Sequence, residues 1–128
     1  MYNFLSQDWI KDYQNKWNAN ETLKNGLKKF SASMKYFVEG NEDISAQVIV
    51  ADGVAIDSGI ANKNEYDFEM WTTIDNWINI AKNELSPKVA LLTKKLKFKG
   101  SMIVAMKHIS HFETSLRLFG EVPTNWEL

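Results

Sequence analysis

His108 and His111 stand three residues apart, a spacing that puts two imidazoles on one side of a helix and that zinc sites sometimes use. Glu113 does not complete a metal-binding spacing, and no second ligand cluster accompanies the pair. The chain has no cysteine, which removes thiolate zinc sites, iron–sulfur clusters, thiol nucleophiles and disulfides together. The histidines therefore read as surface side chains, and no metal or other cofactor is expected. Carboxylates are plentiful from Glu39 to Asp75, nine acids against the single base Lys63. Strand-like alternation sends most of them to a wet face, so no general acid–base pair can be nominated. There is no Gly-x-Ser-x-Gly elbow, phosphate loop or dinucleotide fingerprint. The chain is expected not to be an enzyme.

The cations are gathered elsewhere. From Lys82 to Lys107 there are seven lysines against Glu84 alone. Lys94, Lys95, Lys97 and Lys99 suit a transient contact with an anionic membrane, each cation near such a surface contributing about 1 kcal/mol. The plainer reading is a solvated strand face, since alternating lysines also protect an exposed sheet edge. With 15 basic against 16 acidic residues overall, the charge gives no case for a nucleic-acid partner.

The elements that must carry these groups follow from the apolar pattern. Leu5, Trp9, Tyr13 and Trp17 recur every four residues with Ile10 beside them, one stripe of an amphipathic helix starting near Ser6. That stripe reads as a helix lying back on the rest of the domain, with an aromatic interaction surface as the rival. A short helical stretch with Leu23, Leu27 and Phe30 follows, and the period then changes to two. Ala32, Met34, Tyr36 and Val38 form one strand, Ala46, Val48 and Val50 a second, and Val54 and Ile56 a third across the Asp52-Gly53 turn. Tyr66, Phe68 and Met70 form a fourth, and the four strands are expected to run as a meander. Thr73 caps a helix with Ile74, Trp77, Ile78, Ala81 and Leu85 on its buried side. Ser86-Pro87 restarts a helix carrying Val89, Leu91 and Leu92. Leu96 and Phe98 alternate with Lys95, Lys97 and Lys99 in a fifth strand. From Ser101 one long helix places Met102, Met106, Ile109, Phe112, Leu116 and Phe119 in a stripe that ends before Gly120.

This order predicts an α+β fold, a five-stranded, mainly antiparallel twisted sheet covered by helices. A chain of 128 residues fits a single domain spanning 1–128, burying roughly two thirds of its unfolded surface. Charges within Met1–Trp17 speak against a secretory signal, and no window approaches the ~20 apolar residues of a membrane span. The end Asn125-Trp126-Glu127-Leu128 is not a Ser-Lys-Leu peroxisomal address. Cytoplasmic residence is the default expectation.

The run Ser86 to Met102 resembles the late signature of the sterol carrier protein 2 family. In that signature a Pro-started helix with an alanine leads into a Lys-Leu-Lys-apolar-Lys-Gly strand and a long helix. Pro87, Ala90, Lys95, Leu96, Lys97, Lys99, Gly100 and Met102 match, and the preceding element order extends the resemblance over about Leu23 to Val122. The family commonly has glycine where Lys94 stands and aspartate where Ser101 stands, which bears on the local turns. The resemblance implies an apolar tunnel between sheet and helices that binds, and in some members transfers, fatty acids, fatty acyl-CoA or sterol-like lipids. Its walls would be Met34, Tyr36, Phe68 and Met70 on the sheet and Trp77, Ile78, Leu92, Met102, Met106, Ile109 and Phe112 on the helices, with deformable thioethers among them.

Pattern alone makes the methionine and aromatic stripe ordinary core packing. Family members also assist enzymes acting on isoprenoid quinones, so an accessory or interaction module without a free ligand is the rival function. A fold with a filled core and no pocket is a third reading. A monomer that retains lipid favours the carrier, and a homodimer burying Trp9 and Trp17 favours interaction.

Overall fold

A computed structural model describes all 128 residues. In chain order it contains β1 (Tyr2–Asn3), α1 (Gln7–Ala19), α2 (Glu21–Gly26), β2 (Ala32–Val38), β3 (Asn41–Ala51), β4 (Val54–Ile60) and β5 (Phe68–Thr72). There follow α3 (Ile74–Ala81), α4 (Pro87–Leu92), β6 (Lys97–Gly100), α5 (Met102–Lys107), α6 (Ile109–Arg117), a 3-10 turn (Leu118–Glu121) and β7 (Thr124–Asn125). β1 and β7 pair in parallel, joining the two ends of the chain. The remaining strands make one five-stranded sheet in the order β4-β3-β2-β5-β6. Three of its four pairings are antiparallel, and the predicted α+β architecture is the one observed.

Local chemistry explains the ends of these elements. Ser6, Thr73, Ser86 and Ser101 each cap a helix by accepting a backbone N–H from three residues on, satisfying donors that the first turn leaves free. Pro87 occupies a first-turn position of α4, where a missing N–H costs nothing. Asp52 and Gly53 both adopt positive φ, 49° and 82°, the geometry that a two-residue hairpin loop requires. A Cβ on Gly53 would also lie 2.5 Å from the Lys24 carbonyl oxygen, so the turn and the seating of α2 both demand glycine.

The expected meander is only partly realised. β2, β3 and β4 do run as antiparallel neighbours, but β5 crosses to the far edge of β2 and pairs with it in parallel, Met34 opposite Phe68 and Tyr36 opposite Met70. Period-two alternation marks a strand without naming its neighbour, and the β3–β4 hairpin itself serves as the crossover. Residues 61–67 carry the chain back and are pinned there. The Tyr66 hydroxyl donates to Gln47 Oε1 at 2.6 Å and accepts from the N–H groups of Asn62 and Lys63. Asp67 Oδ2 accepts from Ser33.

The single helix expected from Ser101 is broken at His108 (φ −113°, ψ 21°). No proline or glycine stands there. α6 is anchored by buried Phe112, Ser115 and Leu116, whereas α5 buries only Ala105, so the two halves are held very unequally.

The centre of the molecule is solid. Trp9, Tyr13 and Trp17 are fully buried, and the indole N–H groups of Trp9, Trp17 and Trp77 donate to Thr124 Oγ1, the Gly53 carbonyl and the Phe37 carbonyl. The stripe of α1 is thus used inside the fold rather than offered to a partner. Phe119 sits at 5.0–6.0 Å, centroid to centroid, from five rings: Phe4, Trp9, Tyr13, Tyr36 and Trp77.

Candidate functional site

The largest cavity lies at one corner of the molecule, where α4, β6 and α5 meet. It is a cleft of about 700 Å³ lined by eleven residues, nine of them hydrophobic. α4 contributes Leu91 and Leu92, and the chain after it contributes Leu96. The sheet contributes Trp71 and Phe98, and α5 with the start of α6 contributes Met102, Ala105, Met106 and Ile109. Lys94 and Lys97 are the two polar members of the lining. Volume and composition are those of a site for an apolar ligand.

Of the residues predicted from sequence, Leu92, Met102, Met106 and Ile109 meet at this cleft. Met34, Tyr36, Phe68, Met70, Trp77 and Phe112 do not. All six are at most 4% exposed and belong to the core, and Ile78 is half-buried on α3, outside the lining. Phe68 and Phe112 stand one layer back. Phe98 packs on Phe68 at 5.6 Å and Phe68 on Phe112 at 5.5 Å, so the cleft has an aromatic rear wall. Trp71, Leu91, Leu96, Phe98 and Ala105 line the cleft without having been named from the sequence. The available signals were the alternation of Leu96 and Phe98 on an edge strand and a small residue, Ala105, inside a stripe of large ones.

The lysines divide by position. Lys97 pairs with Glu39, and Lys99 lies 3.8 Å from Glu69. Lys94 and Lys95 have no ion-pair partner and are exposed. Lys94 has φ 62°, the left-handed conformation that glycine adopts freely, so the departure from the resembled signature leaves the turn in place. Ser101 performs the capping that an aspartate would, accepting from Val104 N–H at 3.2 Å.

His108 and His111 are half-buried rather than surface side chains. His108 lies 5.4 Å, ring to ring, from Phe30. Desolvation, then Lys107, then His111 hold its pKa below the ordinary histidine value. His111 occupies the space a Cβ on Gly26 would need. No three His, Cys, Asp or Glu side chains come together as a metal site. Burial pushes the Tyr13 phenol well up and that of Tyr36 to about 12, so both stay neutral core groups.

The model of the SCP-2 sterol transfer family matches residues 10–113. Solved structures agree with it. A crystal structure of sterol carrier protein 2 superposes with a TM-score of 0.82 at 17% identity, covering 94% of this chain and 99% of that one. A conserved hypothetical protein from Thermus thermophilus, solved in solution, gives 0.75 at 19% identity, covering 94% and 90%. A ubiquinone synthesis protein, UbiJ-SCP2, gives 0.55 at 11% identity, covering 88% of each chain. At these identities the structural likeness is one of fold. No curated protein matches the chain by sequence. No helix is long and apolar enough to cross a membrane.

Proposed function

The chain belongs to the SCP-2 sterol transfer family, and from that premise we propose that it is a non-catalytic, cytoplasmic binder of lipids that holds an acyl chain in the α4–β6–α5 cleft. The observation that carries this reading is the cleft itself: an apolar cavity of about 700 Å³ whose mouth is edged by exposed hydrophobic side chains of α4 and α5. Family membership supports lipid binding or transfer in general. The ligand class, fatty acids, fatty acyl-CoA or sterol-like molecules, is the narrower part of the proposal.

Removal of chain methylenes from water drives binding, each contributing about 0.8 kcal/mol. Leu92, Met102, Met106 and Ile109 supply movable walls, with Phe98 behind them. Transfer calls for contact with an anionic bilayer, and Lys94, Lys95, Lys97 and Lys99 were the sequence candidates for it. Lys97 and Lys99 are already engaged by Glu39 and Glu69, which leaves Lys94 and Lys95 for that contact.

The likeness to UbiJ-SCP2 favours a second reading, an accessory module that presents an isoprenoid lipid to an enzyme instead of carrying a free ligand. Native mass spectrometry of the freshly purified protein, followed by organic extraction, separates the two. A retained lipid at one per chain is the carrier's expected result. A lipid-free chain that also fails to bind added dodecanoate removes the carrier reading.

A further inference from the structure

The two short helices that face each other across the cleft also carry the most conspicuous exposed apolar surface of the molecule. Ile103 is 85% exposed, Leu92 56%, Val89 and Met102 50% and Met106 42%. Leu92, Met102 and Met106 line one cavity, Val89 and Ile103 stand on the same two short helices, and a grouped apolar surface signals an interaction that scattered surface residues do not. Water is a poor partner for Ile103 in particular.

Charge identifies the occupant. Lys88, Lys94, Lys95 and Lys107 lie on or directly beside α4 and α5, and none has an ion-pair partner. The two lysines of β6 are engaged by acids instead, Lys97 by Glu39 and Lys99 by Glu69. Glu113, which reaches the start of α4, accepts from Ser86 Oγ and the Lys88 backbone N–H and pairs with Arg117. An apolar patch ringed by unpaired cations is the complement of a bilayer surface with anionic headgroups.

We propose that the α4–α5 rim is a membrane-docking surface for anionic bilayers. Ile103, Val89 and Leu92 enter the headgroup–acyl boundary, and Lys88, Lys94, Lys95 and Lys107 meet lipid phosphates. The proposal rests on the carrier reading for its purpose: the cleft mouth then opens straight into the acyl region, and a ligand exchanges without crossing water. α5, which buries only Ala105 and is separated from α6 at His108, is the element that yields as it enters the boundary.

The test is co-sedimentation of the full chain with phosphatidylcholine vesicles and with vesicles in which about a third of the lipid is phosphatidylglycerol. Wild type is expected on the anionic vesicles only, with binding that falls as salt rises. Ile103→Asp is expected to lower partitioning at least tenfold, and the pair Lys95→Gln and Lys107→Gln by about 25-fold, near fivefold per charge. Neither set borders the cleft, so both should keep the wild-type thermal midpoint and the wild-type titration with dodecanoate in vesicle-free buffer. Equal binding to neutral vesicles, no vesicle binding at all, or unchanged partitioning of Ile103→Asp overturns the docking surface. So does a lipid-independent dimer that Ile103→Asp dissociates, since the rim would then belong to a second copy. A chain that titrates dodecanoate but ignores vesicles fails only here, and one that binds vesicles but no dodecanoate fails only as a carrier.

Discussion

Replacing Ala105 by leucine tests the cleft quantitatively, because Ala105 is a small, buried side chain in its lining. At roughly 30 Å³ for a group the size of a water or a methylene, a cavity of about 700 Å³ has room for on the order of twenty groups. One side is open, so about half that number, ten to fourteen methylenes, would leave water. At about 0.8 kcal/mol each the gross gain is about 8 to 11 kcal/mol. Association and ordering subtract at least about 4 kcal/mol. The net predicts Kd near 1 mM for ten buried methylenes and near 10 µM for fourteen, tightening about fourfold per added carbon until the cleft is full. Leucine adds three carbons at the lining and displaces about three methylenes of ligand. Long-chain ligands should weaken by about 2.4 kcal/mol, roughly 60-fold, while octanoate is unaffected. Met106→Trp, at the rim, should act in the same direction. Calorimetric titration across a series of fatty acids reads the slope, the plateau and the negative heat-capacity change of apolar burial. A flat dependence on chain length, or an Ala105→Leu profile identical to wild type with the fold intact, would refute the assignment of the cleft as the ligand site.

Three further outcomes are expected. His108 is held below its ordinary pKa, first by desolvation, so as pH falls through the unfolded histidine value of about 6.5 the unfolded chain takes up a proton that the folded one refuses. Stability should therefore decline with acidification across that window and level off below the folded pKa. His108→Gln should flatten the curve in chemical denaturation at successive pH values, and an unchanged slope would remove the effect. Gly120→Ala places a Cβ hard against the Ala81 carbonyl oxygen and should cost about 1–3 kcal/mol, read as a lowered thermal midpoint. Trp17→Phe leaves the buried Gly53 carbonyl without the indole donor now at 2.9 Å and should cost about 1–3 kcal/mol beyond the change in volume, read by chemical denaturation.

The parts of the fold legible in the sequence are those where one residue type suffices. Ser6, Thr73, Ser86 and Ser101 announced four helix starts, and Asp52-Gly53 announced a hairpin, because capping and positive φ are local demands. The placement of β5 was not local. Alternation at Phe68 and Met70 is the same whether the strand follows β4 or returns to β2, and the pins that decide it, Tyr66 on Gln47 and Asp67 on Ser33, join residues 19 and 34 apart. Six of the eleven residues named as walls lie in the core, outside the cleft, for a related reason. A stripe of Met34, Tyr36, Phe68 and Met70 opposed by Trp77 and Phe112 describes either the walls of a gap or its contents. Only the position of Phe119 and its ring neighbours decides for contents.

That aromatic filling also decides where a ligand can go. A chain threading between the centre of the sheet and the helices would have to displace Phe112 or Phe119, and emptying such a position costs about 3–5 kcal/mol. A ligand methylene returns only about 0.8 kcal/mol, so about four to six of them would be needed to offset one displaced ring. At the α4–β6–α5 corner no such exchange is required. Leu92, Met102 and Met106 are already 42–56% exposed, and covering them with an acyl chain removes protein and ligand surface from water together. On the carrier reading, lipid therefore has its favourable place at the edge of this fold, beside the lightly anchored α5, while the aromatic core holds the sheet in register.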